Sequence, residues 1–87
     1  MKIGLRIYGK VQDVFFRHHI EELAKKLKLK GYVMNKQDYV ECAFDGDSVD
    51  QIIEFCKKGP RLARVDKTEQ FNTSEEFNKF EVRYEDR

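Results

Sequence analysis

The 87-residue sequence has no long apolar run, and its longest one is only a few residues. A membrane-spanning helix needs roughly 20 consecutive apolar residues, and a secretory signal peptide needs an apolar region near the N-terminus. Neither pattern is present. We therefore expect a soluble protein that does not enter a membrane and resides in the cytoplasm.

An excess of charge of one sign is also missing, because seventeen Lys and Arg residues are balanced by sixteen Asp and Glu residues. The two signs alternate along the chain, whereas nucleic-acid-binding domains concentrate basic residues on one face. We therefore expect no nucleic-acid partner.

Cysteine is scarce. Cys42 and Cys56 are the only two, and their spacing fits neither a CxxC redox pair nor half of a zinc site. In a reducing compartment we expect two buried free thiols rather than a disulfide. The neighbouring His18 and His19 would point about 100° apart on a helix and cannot share a metal ion. The sequence therefore predicts neither a metal site nor a cofactor.

The chain is short enough to form only one domain, covering residues 1–87, since domains of roughly 100 residues are common. A chain of this size buries only about 60% of its unfolded surface. Its apolar side chains are then needed for stability and cannot line a large cavity. We expect any ligand to be small.

Apolar periodicity predicts the order strand, helix, strand, strand, helix, strand, strand. The first strand, residues 1–9, alternates apolar and polar positions, and the first helix has an apolar stripe and ends before Gly31. A hairpin follows, with strands at residues 32–36 and 39–45. The inner positions of these elements are Ile3, Leu5, Ile7, Phe16, Ile20, Leu23, Leu27, Val40, Cys42 and Phe44.

The second half of the chain continues the pattern. Ser48 and Gln51 form a candidate capping box for a second helix, which Gly59 and Pro60 end. A polar strand at residues 65–71 precedes a last strand in which Phe80, Val82 and Tyr84 alternate inward. Two helices separated by a hairpin predict an α+β split βαβ sandwich. Its antiparallel sheet would have four to five strands, with both helices on one face.

The turn between the first strand and the first helix is a candidate anion site. Backbone N–H groups in such a turn converge with the unpaired donors of the helix N-terminus, and the helix dipole attracts negative charge. Arg17 faces the positive end of that dipole, which costs a few tenths of a kcal/mol unless an anion is bound. From position alone, a solvated arginine paired with Asp13 is an equal alternative.

Two segments resemble the signatures of the acylphosphatase family. Residues 9–17, with the pattern G-x-V-Q-x-V-x-F-R, are similar to the first signature, and residues 31–35, Gly-Tyr-Val-Met-Asn, are similar to the second. Residues 59–60, 63–66 and 80–84 also resemble family segments, so the resemblance extends along nearly the whole chain. The ferredoxin-like fold of the family agrees with the predicted elements.

The resemblance implies an acylphosphatase, a hydrolase that cleaves acyl phosphates to carboxylate and inorganic phosphate without a metal. Arg17 would bind the phosphoryl oxygens, and Asn35 would orient the attacking water. The backbone amides that would cradle the phosphoryl group belong to Gln12, Asp13, Val14, Phe15, Phe16 and Arg17. The substrate would be a small acyl phosphate or an acyl-phosphorylated protein, and we expect a monomer. The alternative is a catalytically weak phosphate-binding module with the same loop.

The sequence departs from the family pattern at two places. Asp13 stands where the family usually has glycine. A carboxylate about 6 Å from one phosphate charge would repel it by roughly 3 kcal/mol at an effective dielectric constant of about 20. The hairpin between Asn35 and Val40 is also one residue shorter and lacks the family's turn glycine. Both departures predict weaker substrate binding or slower turnover.

Overall fold

Five strands and two helices form in the order that the apolar periodicity predicts. The computed structural model describes residues 1–12 and 15–84. The elements are β1 (Lys2–Lys10), α1 (Phe16–Lys26), β2 (Lys30–Asn35), β3 (Tyr39–Asp45), α2 (Val49–Lys58), β4 (Arg64–Phe71) and β5 (Phe80–Arg83). The prediction of a ferredoxin-like α+β fold with two helices and five strands is confirmed.

The sheet has the strand order β4-β1-β3-β2-β5 and is mixed. β3 pairs antiparallel with both β1 and β2, and β4 pairs antiparallel with β1. β5, however, runs parallel to β2, from the pair Gly31 and Phe80 to the pair Met34 and Arg83. The prediction of an antiparallel sheet was therefore wrong at this edge. Residues 72–79 carry the chain from one edge of the sheet to the other, so β5 returns in the direction of β2.

Both helices cover the same face of the sheet. The inner side chains of β1, β2 and β3 join those of the two helices in one buried cluster. Its fully buried members include Leu5, Ile7, Val33, Val40, Cys42 and Phe44 from strands and Phe16, Ile20, Ala24, Ile52 and Cys56 from helices. The predicted inner faces of β1, α1 and β3 are thus confirmed.

Among the described residues, no helix is long and apolar enough to span a bilayer.

Gly31 allows β2 to lie close against β3. Its φ is +142°, and a Cβ atom there would lie 1.9 Å from the carbonyl oxygen of Ala43. Any larger residue would push the two backbones apart or change the pairing. Gly31 therefore sets the position of β2, and with it the position of Asn35 four residues later.

The start of α2 differs from the prediction. The side chain of Ser48 makes no capping hydrogen bond, and the backbone N–H of Gln51 instead donates to the carbonyl oxygen of Ser48 at 3.2 Å. The capping box was therefore predicted wrongly, because Ser48 has φ −103° and ψ 28° and a backbone turn takes the place of the side-chain bond. The predicted end is confirmed, with Gly59 following the last residue, Lys58.

β4 is an edge strand with charged, mostly exposed side chains. Arg64 forms an ion pair with Asp66 at 3.0 Å, and Lys67 forms one with Glu69 at 3.8 Å. These pairs lie along the strand itself and contribute little to stability, since exposed pairs are worth at most about 1 kcal/mol. The strand is held by its ladder with β1 and by Val65, which packs against the core.

The two cysteines are free and fully buried, as predicted. Burial raises the pKa of the Cys42 thiol well above its ordinary value, and the neighbouring Cys56 thiol adds to this effect. We expect the folded protein not to react with Ellman's reagent at about pH 8, since both sulfur atoms are buried out of its reach and only a thiolate is nucleophilic. Denaturant should release both thiols for reaction. Rapid modification of the folded protein would contradict this prediction.

Candidate active site

A cleft of about 370 Å³ opens at one end of the sheet. It brings Arg17 and Asn35 together, as the two signatures require. The residues that line it are Gln12, Phe15, Arg17, His18, Glu21, Asn35, Val82 and Tyr84. Of the loop residues predicted to hold phosphate, Gln12, Phe15 and Arg17 line the cleft. Phe16 has a fully buried side chain in the core, and Asp13 and Val14 lie outside the described residues.

Strand direction explains why these distant residues meet. β1 and β2 run in the same direction because both pair antiparallel with β3, and β5 is parallel to β2. The C-terminal ends of all three strands therefore lie at the same end of the sheet. Gln12 follows β1, Asn35 ends β2, and Tyr84 follows β5.

Arg17 lies in the first turn of α1 and is partly buried. It forms no ion pair with any residue in 1–12 or 15–84. Its guanidinium carbon lies 5.3 Å from the centroid of the Tyr84 ring, within the range of a cation–π contact. A cation at this end of a helix, opposed by the dipole and not neutralised by the described residues, favours the binding of an anion.

The start of α1 leaves donors available for that anion. Phe15, the N-cap residue, has φ 57° and ψ 24°, and it has no side-chain oxygen to accept from the first turn. A left-handed conformation costs a residue with a Cβ atom roughly 1–2 kcal/mol, and such conformations cluster at binding sites. The first backbone N–H groups of a helix have no acceptor within it. Phe15 and Arg17 both line the cleft, so this end of the helix lies at its edge.

Asn35 contributes a hydrogen-bond acceptor that has no donor partner among the described residues. It is the last residue of β2, paired with Val40, and its Oδ1 atom is buried. This oxygen accepts no hydrogen bond from the described part of the chain. A buried unpaired acceptor costs about 1–3 kcal/mol. Because Asn35 lines the cleft, a rotation of its side-chain amide would turn this oxygen toward a water molecule there, which would supply the missing donor.

The side chain of Gln12 was not predicted to have a role, because only its backbone was assigned to the loop. Its Nε2 atom donates to the carbonyl oxygens of Lys36 and Tyr39, the latter at 2.9 Å. In the sequence, the place of Gln12 within the first signature is the feature that could have indicated a role for its side chain. The backbone carbonyls that it contacts have no sequence signal.

The predicted inward orientation of Tyr84 was wrong. The strand ends at Arg83, and the side chain of Tyr84 is 73% exposed. Beyond the last paired residue the pleat no longer determines which face a side chain takes. The ring of Tyr84 instead lies against Arg17 and forms one wall of the cleft.

The two histidines are exposed on α1, as predicted. His18 lies at the edge of the cleft, where its Nε2 atom is 2.8 Å from Glu22. Across residues 1–12 and 15–84, no three His, Cys, Asp or Glu side chains are grouped to hold a metal ion. Glu21 also lines the cleft, and its carboxylate is paired with Lys25 at 3.1 Å. Besides His18, the other charged or amide side chains of the lining are Arg17, Gln12 and Asn35.

Comparison with known proteins gives one consistent family. The sequence profile described as Acylphosphatase matches residues 3–82. The acylphosphatase of Geobacter sulfurreducens is 40% identical over an alignment of 83 positions that covers 90% of this chain and 91% of that protein. The structure of an acylphosphatase from Coxiella burnetii superposes with a TM-score of 0.86 at 32% identity, covering 94% of this chain and 90% of that one.

A longer protein also contains a similar segment. The probable carbamoyltransferase HypF of Methanocaldococcus jannaschii is 39% identical over an alignment of 87 positions that covers 94% of this chain. The chain spans only 11% of that protein's length, but 77% of the length of the acylphosphatase of Pyrobaculum islandicum, to which it is 44% identical over 73 residues. The similarity to HypF therefore concerns one segment of it.

Proposed function

We propose that this chain, which belongs to the acylphosphatase family, hydrolyses the carboxyl–phosphate bond of acyl phosphates and releases a carboxylate and inorganic phosphate. One observation carries the proposal. A cation without an ion pair among the described residues and a buried amide oxygen without a donor line the same cleft. The first group suits the phosphoryl oxygens, and the second suits the attacking water.

Arg17 and the first N–H groups of α1 would bind the phosphoryl group. A guanidinium meets two phosphate oxygens at once, which fixes their orientation as well as balancing their charge. In the transition state of phosphoryl transfer, negative charge is spread over these oxygens. Donors already fixed by a strand and a helix need no rearrangement as the reaction proceeds.

Asn35 would position the water. Its Oδ1 atom accepts one hydrogen bond from the water, so that a lone pair of the water oxygen points toward phosphorus. The water oxygen forms the new bond to phosphorus while the bond to the carboxylate oxygen breaks. The carboxylate leaves with the bonding pair, and a phosphate oxygen takes the water's proton. An acyl phosphate has a good leaving group, so positioning and charge stabilisation suffice without a metal.

The test is release of inorganic phosphate from acetyl phosphate by the purified chain, measured with and without EDTA. We expect turnover that the chelator does not reduce. A rate equal to that of buffer alone would refute the hydrolase assignment. Saturable binding of inorganic phosphate without hydrolysis would favour the alternative of a phosphate-binding module.

We further propose that residues 1–87 act as one domain, as a monomer and in the cytoplasm. A single buried cluster joining both helices to the sheet supports the first part. Small acyl phosphates fit the size of the cleft, and acyl-phosphorylated proteins are the second substrate class. Light scattering of the eluting protein should give the mass of one chain, and a dimer mass would contradict the monomer.

Asp13→Gly is expected to raise kcat/KM toward acetyl phosphate about tenfold, because it removes a carboxylate from the loop proposed to contact phosphate. The full repulsion of roughly 3 kcal/mol at about 6 Å is reduced where the carboxylate points into solvent. Asp47→Gly is the matched control, since Asp47 is exposed and follows β3 at the opposite end of the sheet. Equal or lower activity of Asp13→Gly would remove this hypothesis.

A further inference from the structure

We propose that Gln12 is a positioning residue whose side-chain amide holds Asn35 at its working distance from the phosphate-binding turn. The inference rests on the proposed function and assigns to the Gln12 side chain a role separate from that of its backbone. It would make one amide responsible for the relative placement of the two signatures.

The geometry is that of a clamp across the hairpin turn. The Nε2 atom of Gln12 donates to the carbonyl oxygens of Lys36 and Tyr39, which are 24 and 27 positions away. These carbonyls flank the turn that begins directly after Asn35. The same turn is closed by the N–H of Lys36, which donates to Tyr39 at 2.8 Å. Gln12 therefore binds both ends of the turn at once.

Strand order explains why such a clamp is needed. β3 lies between β1 and β2, so no ladder hydrogen bond joins the end of β1 directly to the end of β2. The phosphate-binding turn follows β1, and Asn35 ends β2. Their separation is otherwise set indirectly, through β3 and through the packing of α1 against β2. The Gln12 bonds cross this gap directly.

Glutamine suits this role because its side chain can donate to two backbone carbonyls at once. One amide nitrogen carries two N–H donors and can serve two carbonyls, whereas a carboxylate has none. Asparagine is shorter by one methylene, and lysine would add a second positive charge beside Arg17. The hairpin turn after Asn35 contains no glycine, so its conformation depends more on hydrogen bonds from outside the turn. A misplacement of about 1 Å is enough to cost on the order of a hundredfold in rate.

The first measurement compares Gln12→Met with wild type on acetyl phosphate. Methionine has nearly the length of glutamine but no donor. We expect kcat to fall about 30-fold, while KM and the Kd for inorganic phosphate change less than about threefold, since Arg17 and the helix donors remain. The matched control is Gln37→Met, because Gln37 is exposed in the same hairpin turn. Equal losses in both variants would overturn the proposal.

A double-mutant cycle tests whether Gln12 acts through Asn35. In an Asn35→Ala background, Gln12→Met should lower kcat by less than about threefold more, because the group that it positions is gone. A full additional loss of about 30-fold would mean that Gln12 acts elsewhere and would overturn the proposal. If Gln12→Met caused a general loss of structure, it would lower kcat by the same factor in the wild-type and Asn35→Ala backgrounds.

Solution NMR supplies a readout that does not depend on turnover. Gln12→Met should shift the side-chain amide resonances of Asn35 and speed hydrogen exchange at the Lys36 amide. Unchanged resonances and exchange would overturn the positioning role, whether or not the wild type is active. A wild type that shows the clamp by NMR but no hydrolysis would instead contradict the proposed function.

Discussion

Replacing Arg17 with alanine is expected to lower kcat/KM toward acetyl phosphate by about 10³-fold or more, and to weaken the binding of inorganic phosphate as well. Arginines that neutralise a transferring phosphoryl group contribute factors of about 10³ to 10⁵. Arg17 provides the cationic side chain of the cleft, and no described carboxylate pairs with it. Phosphate release and isothermal titration with inorganic phosphate measure the two effects.

Two further variants separate charge from geometry at this position. Arg17→Lys keeps the charge but loses the second hydrogen bond, so a loss of about 10- to 100-fold is expected. Lys79→Ala removes one charge from an exposed residue just before β5, at the other end of the sheet, and should have no effect. Activity of Arg17→Ala within tenfold of wild type would exclude its proposed role.

The loss in Arg17→Ala should not come from unfolding. A cation at the N-terminus of a helix is unfavourable by a few tenths of a kcal/mol, and the exposed contact with Tyr84 is of similar size. The two contributions oppose each other. We therefore expect a thermal unfolding midpoint close to that of wild type, and a large decrease would mean that the activity loss is structural.

The second large effect is expected for Asn35→Ala, which should lower kcat by about 10² to 10³ while leaving the Kd for inorganic phosphate nearly unchanged. Removal of one preorganised hydrogen-bonding group at a reaction centre typically has this magnitude. The phosphate is held by Arg17 and the helix donors, so only the attacking water loses its partner. The measurement is the separation of kcat from KM, together with phosphate titration.

Stability gives an independent check on Asn35. Its buried Oδ1 atom has no donor among the described residues, so the alanine variant should be at least as stable as wild type. Asn72→Ala, at an exposed position after β4, is the matched control and should retain full activity. An unchanged kcat in Asn35→Ala, or a parallel weakening of phosphate binding, would contradict the assignment of the water to Asn35.

Much of the fold was predictable because local patterns match the final structure. The alternation of Ile3, Leu5 and Ile7 and the helical spacing of Phe16 and Ile20 each identify an inner face, and these faces form the core. The direction of β5 was not predictable in this way. The alternation of apolar residues in a strand shows which face is buried, but not whether its neighbour runs parallel or antiparallel.

The candidate site was predictable to different degrees. Arg17 and Asn35 belong to recognisable signatures, and both line the cleft. The clamp by Gln12 depends on backbone carbonyls, which every residue has, so no residue type at the hairpin points to it. Tyr84 was misassigned because the ladder with β2 ends one residue earlier, at Arg83. Side chains placed by tertiary contacts rather than by periodicity are therefore the ones that sequence reasoning missed.

The charged pairs along β4 have a consequence for the behaviour of the protein at high concentration. An unpaired strand edge is a template on which a second chain can extend the sheet, the first step of ordered aggregation. On β4, Arg64, Asp66, Lys67 and Glu69 surround that edge with charge of both signs. The opposite edge, β5, offers only four residues. We therefore expect the charges along β4 to oppose the addition of a second chain at this edge.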